Sequence, residues 1–182
     1  GMVGKLLPCF YIQGKETHVG QCFEGLDASM IAAELVHRIH LNHDFIDEYE
    51  GEYTYPPSVL KMKDLKPWYN VQTTGEALVY FNYFVHNATI DEITDKLKKA
   101  AEEVKETILE RTRREIEWFS AKSGNNISMQ DYNCKVMTYK ELYEKVSKTK
   151  GFSEEEMHRR MEEEVSRGVD KREVPIAMIR YL

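Results

Sequence analysis

A histidine in a glycine-flanked loop is the side chain in this sequence best suited to assist a reaction. His18 follows Gly14 and precedes Gly20 and Gly25, between a short apolar run and a helical pattern. An imidazole can donate a hydrogen bond or transfer a proton near neutral pH. One histidine is not a complete catalytic set, so we expect this chain to supply at most one catalytic helper.

The sequence has one series of possible metal ligands, spaced three residues apart and followed by two aspartates: His37, His40, His43, Asp44 and Asp47. A metal site needs three or four converging ligands with a supporting outer shell. His43 is expected beyond the end of a helix, so we interpret the series as solvated or packed histidines. No metal site and no cofactor are therefore predicted in this chain.

Other reactive groups are weaker candidates. Cys22 lies four residues after His18, but that separation within a loop fixes no orientation for a thiol nucleophile. Glu102, Glu103 and Glu106 lie on a helical pattern where nothing removes them from water, so they are poor acids near neutral pH. The sequence contains no GxGxxG, GxxxxGK[ST], GxSxG or HExxH, which removes the main support for nucleotide-binding and serine-hydrolase functions.

Composition limits the partners and the compartment. Lys and Arg total 25 against 31 Asp and Glu, and this net charge of -6 argues against nucleic acid as a partner. No run approaches the ~18 apolar residues of a membrane helix, so no membrane partner is expected. Three cysteines without CxxC spacing favour a reducing, cytoplasmic location. Gly1 before Met2 is expected if the chain is cut from a longer protein or carries a cloning residue.

Hydrophobic periodicity predicts a mixture of strands and helices. The elements predicted for the first half are a strand within residues 5–13 with Pro8 at an edge or a bulge, a helix capped by Asp27 and ending near Leu41, a loop over residues 44–55, and strands at residues 59–62 and 77–85. The last of these is apolar almost without interruption, which predicts burial on both faces.

The second half is predicted to be mostly helical. A capping box at Thr89 and Glu92 opens a long helix that Gly124 ends, and at about 1.5 Å per residue its ~45–50 Å length requires another partner at the far end. The elements predicted after it are a strand at residues 134–138, a helix at 139–146, a second capping box at Ser153 and an amphipathic segment at 170–182. We therefore predict a single domain, with an α+β core over about 3–124 and a mostly helical extension over 125–182.

One segment resembles a known family. Gly14-Lys15-Glu16-Thr17-His18-Val19-Gly20 and then Gly25-Leu26-Asp27-Ala28 resemble the lid-domain signature of dinuclear zinc hydrolases, the metallopeptidase family of carboxypeptidase G, aminoacylase and succinyl-diaminopimelate desuccinylase. Cys22 stands where that family has Pro, and Asp27 where it has Asn. Residues 4–11, 14–20, 63–66 and 69–73 extend the resemblance, over almost the whole chain, to the RocB-like arginine-utilisation branch.

This resemblance implies a fold and a place in a larger enzyme. The lid of this family has four antiparallel strands with two helices, is inserted in a separate zinc-binding domain and is commonly used for dimerisation. The expected partners are therefore the chain's own catalytic domain and a second copy of itself. The zinc ligands are expected in that catalytic domain, outside this chain.

The resemblance also assigns roles to individual residues. In dimeric members the histidine equivalent to His18 reaches the partner subunit's active site and stabilises the oxyanion formed when metal-bound water attacks an amide. Asn70 matches an asparagine that often binds substrate. Many members then carry Asp-x-Arg, the Arg clamping a substrate carboxylate, whereas this sequence has Asn82-Tyr83-Phe84. Phe cannot form that bidentate pair, so the substrate is left open.

A second function remains compatible with the sequence. A ferredoxin-like α+β domain could serve only as a protein-interaction module, pairing with itself or with another protein through an exposed strand edge or the long helix. This function needs no His18. Neither hypothesis predicts catalysis by the chain alone.

Overall fold

The structure is a computed structural model that describes residues 4–146 and 177–181. The strands in this part of the chain are β1 (Gly4–Leu6), β2 (Cys9–Gln13), β3 (Glu48–Tyr49), β4 (Glu52–Tyr53), β5 (Ser58–Asp64), β6 (Glu76–Val85), β7 (Cys134–Met137) and β8 (Ala177–Tyr181). The helices are α1 (Ala28–Ile39), α2 (Ile90–Ser123) and α3 (Tyr139–Val146), and short 3-10 helices lie at Val19–Glu24 and His43–Phe45.

All strands except β3 and β4 form one sheet. Its order across is β5, β6, β2, β8 and β7, and β1 continues the line of β2 beside β6. Neighbouring strands are antiparallel except β2 and β8, which run parallel. With β8 set aside, the order and the two crossover helices are those of a ferredoxin-like βαββαβ unit. The predicted α+β class with an antiparallel four-stranded sheet is confirmed, and β8 is an additional strand between the first and fourth strands of that unit.

The first predicted strand is divided in two. Residues 5–13 form β1 and β2, with a break at Leu7 and Pro8, where the Phe81 backbone N–H donates to the Pro8 carbonyl at 3.0 Å. Proline has no N–H with which to continue a strand ladder. The predicted irregularity at Pro8 is therefore confirmed, whereas an edge position is wrong because β2 lies between β6 and β8.

The segment predicted as a loop over residues 44–55 contains a hairpin. Strands β3 and β4 pair through a two-residue turn at Glu50 and Gly51, whose φ angles are 51° and 83°. Two successive positive φ angles are the signature of the type I′ turn that suits a tight hairpin. The loop prediction is wrong for these residues.

The C-terminal extension is only partly helical in the described residues. The helix predicted at 139–146 is confirmed as α3. Ala177–Tyr181, which the prediction placed in the helical extension, is instead strand β8, because it finds backbone partners in both β2 and β7. The capping box predicted at Ser153 lies outside the described residues.

Helix α2 begins and ends where the sequence predicts. Thr89 and Glu92 form a reciprocal capping box, and Gly124 closes the helix with a left-handed φ of 73°. Its far end does pack against another element, since the ring of Phe119 lies 5.4 Å from that of Phe23. Among the described residues, no helix combines the length and apolar character that a bilayer crossing demands.

The sheet buries a core on each face. Helices α1 and α2 cover one face, where Phe10, Val79 and Phe81 are fully buried against Leu35 and other helix residues. A smaller cluster lies on the opposite face and consists of Cys9, Tyr11, Leu78, Met137 and Leu142, the last of them from α3. Strand β6 therefore contributes to both cores, as its continuous apolar sequence predicts. The loop between β2 and α1 rises from this rigid centre.

Candidate functional site

The loop that carries His18 is closed at its base by a backbone pair. The N–H groups of Lys15 and Leu26 each donate to the other residue's carbonyl at 2.9 Å. The closure brings chains so near that a Cβ at Gly14 would lie 2.1 Å from the Leu26 carbonyl oxygen, and one at Gly25 would lie 2.7 Å from the Lys15 carbonyl oxygen. These two glycines are required because no larger residue fits between the paired backbones.

The segment before β6 holds the other side of the loop. The Val19 N–H donates to the Val71 carbonyl at 3.1 Å, and the Thr73 N–H donates to the Thr17 carbonyl at 2.8 Å. His18 thus lies in a short antiparallel bridge opposite Gln72. The backbone on both sides of His18 is fixed, so its side chain extends from a defined position.

The His18 ring is exposed, and one of its nitrogens is already used. The backbone N–H of Gly20 donates to Nδ1 of His18 at 3.0 Å, at the start of the 3-10 helix Val19–Glu24. A neutral imidazole carries one N–H and one acceptor nitrogen. Because Nδ1 accepts, the proton of the neutral ring is on Nε2, which leaves a hydrogen-bond donor on the outward side of the ring.

Asn70 lies on the segment that pairs with the His18 loop. Its Oδ1 accepts a hydrogen bond from the Gln72 backbone N–H at 3.2 Å, which holds the turn before the bridge to His18. Asn70 also borders an open cleft of about 290 Å³ whose lining is Gln13, Gly14, Glu16, Leu65, Lys66, Pro67, Asn70, Gly75 and Glu76. His18 is not among these lining residues. The structure therefore places the two predicted site residues on adjacent segments but gives only Asn70 to the cleft.

The cleft is polar and mostly internally paired. The Tyr11 hydroxyl donates to Glu76, and Lys66 Nζ donates to the Gln72 carbonyl. The Gln72 amide, oriented with its nitrogen toward Glu16, donates to the two carboxylate oxygens at 3.0 and 3.2 Å. These contacts fix the walls of the cleft. The charged groups on those walls are the carboxylates of Glu16 and Glu76 and the ammonium group of Lys66.

The His18 loop and the segment that pairs with it carry four exposed apolar side chains. Trp68 and Tyr69 are 72% and 89% exposed, and Val19 and Val71 are each more than half exposed. Large aromatic side chains so fully in water are a common mark of an interaction surface. We call these four residues the exposed patch. Sequence reasoning missed it, although Trp68-Tyr69 in an otherwise polar segment was a usable signal.

A segment after α2 supports the loop from behind. The buried hydroxyl of Tyr132 donates to the Gly25 carbonyl at 2.8 Å, and Lys15 Nζ donates to Gln130 Oε1 at 2.6 Å. Both contacts join residues more than 100 positions apart in the chain. No local pattern indicates such pairing, which is why these two supporting residues were not predicted.

The histidine series does not converge. His37 Nδ1 lies 3.5 Å from Glu34, His40 Nδ1 accepts the Val59 backbone N–H at 3.1 Å, and His43 Nε2 lies 3.5 Å from Asp44. Within residues 4–146 and 177–181, no three His, Cys, Asp or Glu side chains are grouped to hold a metal ion. Each of the three histidines has its own neighbour, and their interpretation as solvated or packed side chains stays a prediction.

Strand β6, which lacks the Asp-x-Arg of the zinc hydrolases, contains the buried side-chain amide of Asn82. Asn82 is 9% exposed, and no hydrogen-bond partner for its Oδ1 lies among the described residues. It faces away from α1 and α2, because its neighbours Phe81 and Tyr83 point into the core beneath those helices. Asn82 pairs with Ser58 across the sheet, some distance along β6 from the cleft residue Glu76. The structure does not bring Asn82 together with Asn70.

A carboxylate that accepts several backbone hydrogen bonds lies away from the His18 loop. Asp47 accepts hydrogen bonds from the backbone N–H groups of His86, Asn87 and Ala88 at 2.7 to 2.9 Å. Burial by itself raises the pKa of Asp47, but the hydrogen bonds from Ala88, Asn87 and His86 outweigh it and hold that pKa below its ordinary value. Burial, with the Asp47 charge, raises the pKa of Tyr83 to about 12. These pKa shifts therefore occur where Asp47 joins the residues before α2, and not at the His18 loop.

Comparison with known proteins gives two relatives. No protein-family model matches the chain. Protein RocB of Bacillus subtilis (strain 168) is 45% identical over 103 residues, which cover 57% of this chain and 18% of RocB. The uncharacterized protein YqjN of the same organism is 35% identical over 156 residues, which cover 86% of this chain and 28% of YqjN. The chain therefore carries a RocB-like region, and it spans less than a third of the length of either relative.

Proposed function

We propose that this chain is the lid and dimerisation domain of a RocB-like, zinc-dependent amide or peptide hydrolase with a role in arginine utilisation. The chain is not catalytic alone, and His18 assists the active site of the intact enzyme. The zinc ligands, the activated water and most of the substrate site belong to the catalytic domain. The similarity to RocB and the resemblance of the His18 loop to zinc-hydrolase lids support this function.

The observation that carries the proposal is the state of the His18 side chain. Its Nδ1 accepts the Gly20 N–H, its ring is exposed, and its backbone is fixed by the bridge to Gln72. A fixed, outward Nε2–H donor is what an amide oxygen needs as negative charge develops on it. Such a donor contributes most when it is already oriented before the reaction begins.

Zinc supplies the other half of this chemistry when bound in the catalytic domain, since it lowers the pKa of bound water and polarises the amide. His18 would donate from Nε2 to the amide oxygen as negative charge develops on it. Asn70, at the edge of the cleft, contacts a more distant part of the substrate. Because Phe84 cannot clamp a carboxylate, we do not assign the substrate a C-terminal carboxylate.

Zinc measurements on two proteins test whether the metal ligands lie outside this chain. The 182-residue chain and the full-length protein that contains it are purified from the same zinc-supplemented cells, and zinc is measured in each. We expect stoichiometric zinc from the full-length protein alone, together with hydrolysis within a panel of amides and peptides whose C-terminal carboxylates are either free or blocked. Tight stoichiometric zinc in the 182-residue chain would contradict the proposal.

A second candidate function is favoured by the exposed patch. Trp68 and Tyr69 lie in water in the isolated domain, as expected for a surface that another protein covers. A stand-alone interaction module would use this surface without any need for His18. Hydrolysis that depends on His18 favours the lid, whereas a full-length protein that binds no zinc favours the module.

A further inference from the structure

We infer that Gly20 is a positioning residue that keeps the proton of the neutral His18 ring on Nε2 and fixes the direction of the ring. The identity of the group that accepts the Nε2–H hydrogen bond rests on the proposed function. The positioning of the ring by Gly20 does not. The inference depends on two properties of Gly20, namely the direction of its backbone N–H and the absence of a side chain. Neither property follows from the resemblance to zinc hydrolases.

The first property is the hydrogen bond. The Gly20 N–H donates to His18 Nδ1 at 3.0 Å, within the usual range for an N–H donor. A proton on Nδ1 would face the Gly20 N–H directly, and the two donors would repel each other. The neutral ring is therefore restricted to the form with its proton on Nε2, since the hydrogen bond at one ring nitrogen decides the state of the other.

The second property is space. A Cβ built on Gly20 would lie 3.1 Å from Nδ1 and 3.5 Å from Cε1 of His18. The shorter distance is tighter than nine in ten real Cβ contacts, so any other residue at this position requires the ring to move by a few tenths of an ångström. Gly20 thus allows the ring to lie directly over the backbone that donates to it.

The backbone cannot relieve that crowding by moving. The His18 carbonyl accepts the Gln21 N–H at 2.8 Å, and the Val19 N–H is bonded to the Val71 carbonyl at 3.1 Å. These contacts hold Val19 and Gln21, the two neighbours of Gly20, in place. A side chain at position 20 therefore displaces the imidazole and lengthens its hydrogen bond, while the loop remains closed.

Nitrogen NMR of the 182-residue chain tests the hydrogen bond directly. An N–H···N hydrogen bond transmits a coupling between its two nitrogens, so uniformly ¹⁵N-labelled protein is measured near pH 8.5, where imidazole side chains are neutral. We expect a correlation between the Gly20 amide nitrogen and His18 Nδ1, with the His18 proton on Nε2. His40 is a positive control, because its Nδ1 accepts the Val59 N–H at 3.1 Å. Absence of the His18 correlation when that of His40 is present overturns the inference.

The variant Gly20→Ala tests the role of space, and Gly4→Ala is its matched control. A Cβ on Gly4 would meet the Val85 carbonyl oxygen at an ordinary 3.5 Å. We expect G20A to lose the His18 correlation and to acquire averaged proton occupancy on the two ring nitrogens, while G4A keeps the wild-type spectrum. An unchanged His18 signal in G20A contradicts the inference. If G20A fails to fold, the wild-type correlation decides.

Failure of this inference and failure of the proposed function are separable. The NMR measurement uses the chain without zinc, substrate or catalytic domain. Loss of the expected correlation removes Gly20 as a positioning residue and leaves the lid proposal intact. Full activity of an enzyme without His18 removes the catalytic proposal and leaves the hydrogen bond to Gly20 intact.

Discussion

At the scale of single residues, Asp47 joins parts of the chain that are far apart in sequence. Its carboxylate receives three consecutive backbone N–H groups from the turn before α2, and its own N–H donates to the Thr54 hydroxyl at 2.9 Å. Asp47 therefore fixes the base of the β3–β4 hairpin against the start of α2. The sequence predicts Asp27 as a helix cap from its position before a helical pattern. It offers no such cue for Asp47, whose partners lie about 40 residues away.

Loss of the Asp47 charge should lower stability at neutral pH. We predict that Asp47→Asn costs about 1–2 kcal/mol of unfolding free energy, allowing for solvent screening, because an amide cannot accept all three N–H groups as well as a carboxylate does. Urea unfolding at pH 7 measures this cost. Asp44→Asn is the control, since Asp44 makes an exposed ion pair with Arg38, and its cost should stay below about 1 kcal/mol. Equal costs for the two variants would contradict the role of Asp47.

The pH dependence of stability provides a separate test of Asp47. The pKa of Asp47 is lower in the folded protein than its ordinary value of 3.8, so the ionised carboxylate favours folding. That contribution is fully present above the ordinary value and is lost as pH falls through the folded pKa. We predict that wild-type stability falls more steeply than that of D47N between about pH 4 and pH 2. Parallel curves from urea titrations would show that Asp47 carries no such linkage.

At the scale of elements, the His18 loop depends on backbone closure more than on side-chain packing. We predict that Gly14→Ala costs about 3 kcal/mol or more, because its Cβ would lie 2.1 Å from the Leu26 carbonyl oxygen and the paired backbone cannot move aside. Gly4→Ala, with an ordinary contact at 3.5 Å, should cost less than about 1 kcal/mol. Urea midpoints compare the two variants. Equal urea midpoints for G14A and G4A would contradict this prediction, because they would mean that the backbone pair at the base of the loop contributes little to stability.

Elements with local signals were predictable, and elements with distant partners were not. Helix α2 carries a capping box at Thr89 and a left-handed glycine at 124, so its limits follow from nearby residues. Strand β8 has no such signal, because its strand conformation depends on pairing with β2 and β7. The β3–β4 hairpin was missed since two-residue strands are too short to display alternation. The support of the His18 loop by Tyr132 likewise joins residues far apart in the chain.

At the scale of the whole molecule, the ferredoxin-like sheet leaves β5 as an outer strand. In the described part of the chain β5 pairs only with β6, and its Leu60 and Met62 are about half exposed. Such an outer strand offers backbone N–H and C=O groups to a second copy, although it also carries Lys61 and Lys63. The α+β class and the sheet were predictable from the hydrophobic pattern and the resemblance. Pairing through the outer edge of β5 was not, because it depends on the surface of a second molecule.

We predict that the 182-residue chain forms a dimer through β5. Leu60→Lys should convert it to a monomer, because a charge in place of this half-exposed apolar side chain would lose water when the second copy covers it. Trp118→Lys is the control on the long helix, where Trp118 is 60% exposed, and it should leave the dimer intact. Sedimentation velocity distinguishes the species. A monomeric wild type, or a dimer dispersed by W118K and not by L60K, would contradict the use of this edge.

The catalytic role proposed for His18 is tested by turnover of the full-length protein carrying His18→Ala, with its zinc content measured alongside. Removal of one oriented oxyanion donor commonly lowers kcat by about 10²-fold or more, so we predict that loss with zinc content unchanged. His37→Ala is the matched control, since His37 is exposed on α1 beside Glu34, and it should retain full turnover. If H18A hydrolyses substrate at the wild-type rate with the same zinc content, His18 is not part of the active site and the lid proposal loses its catalytic role.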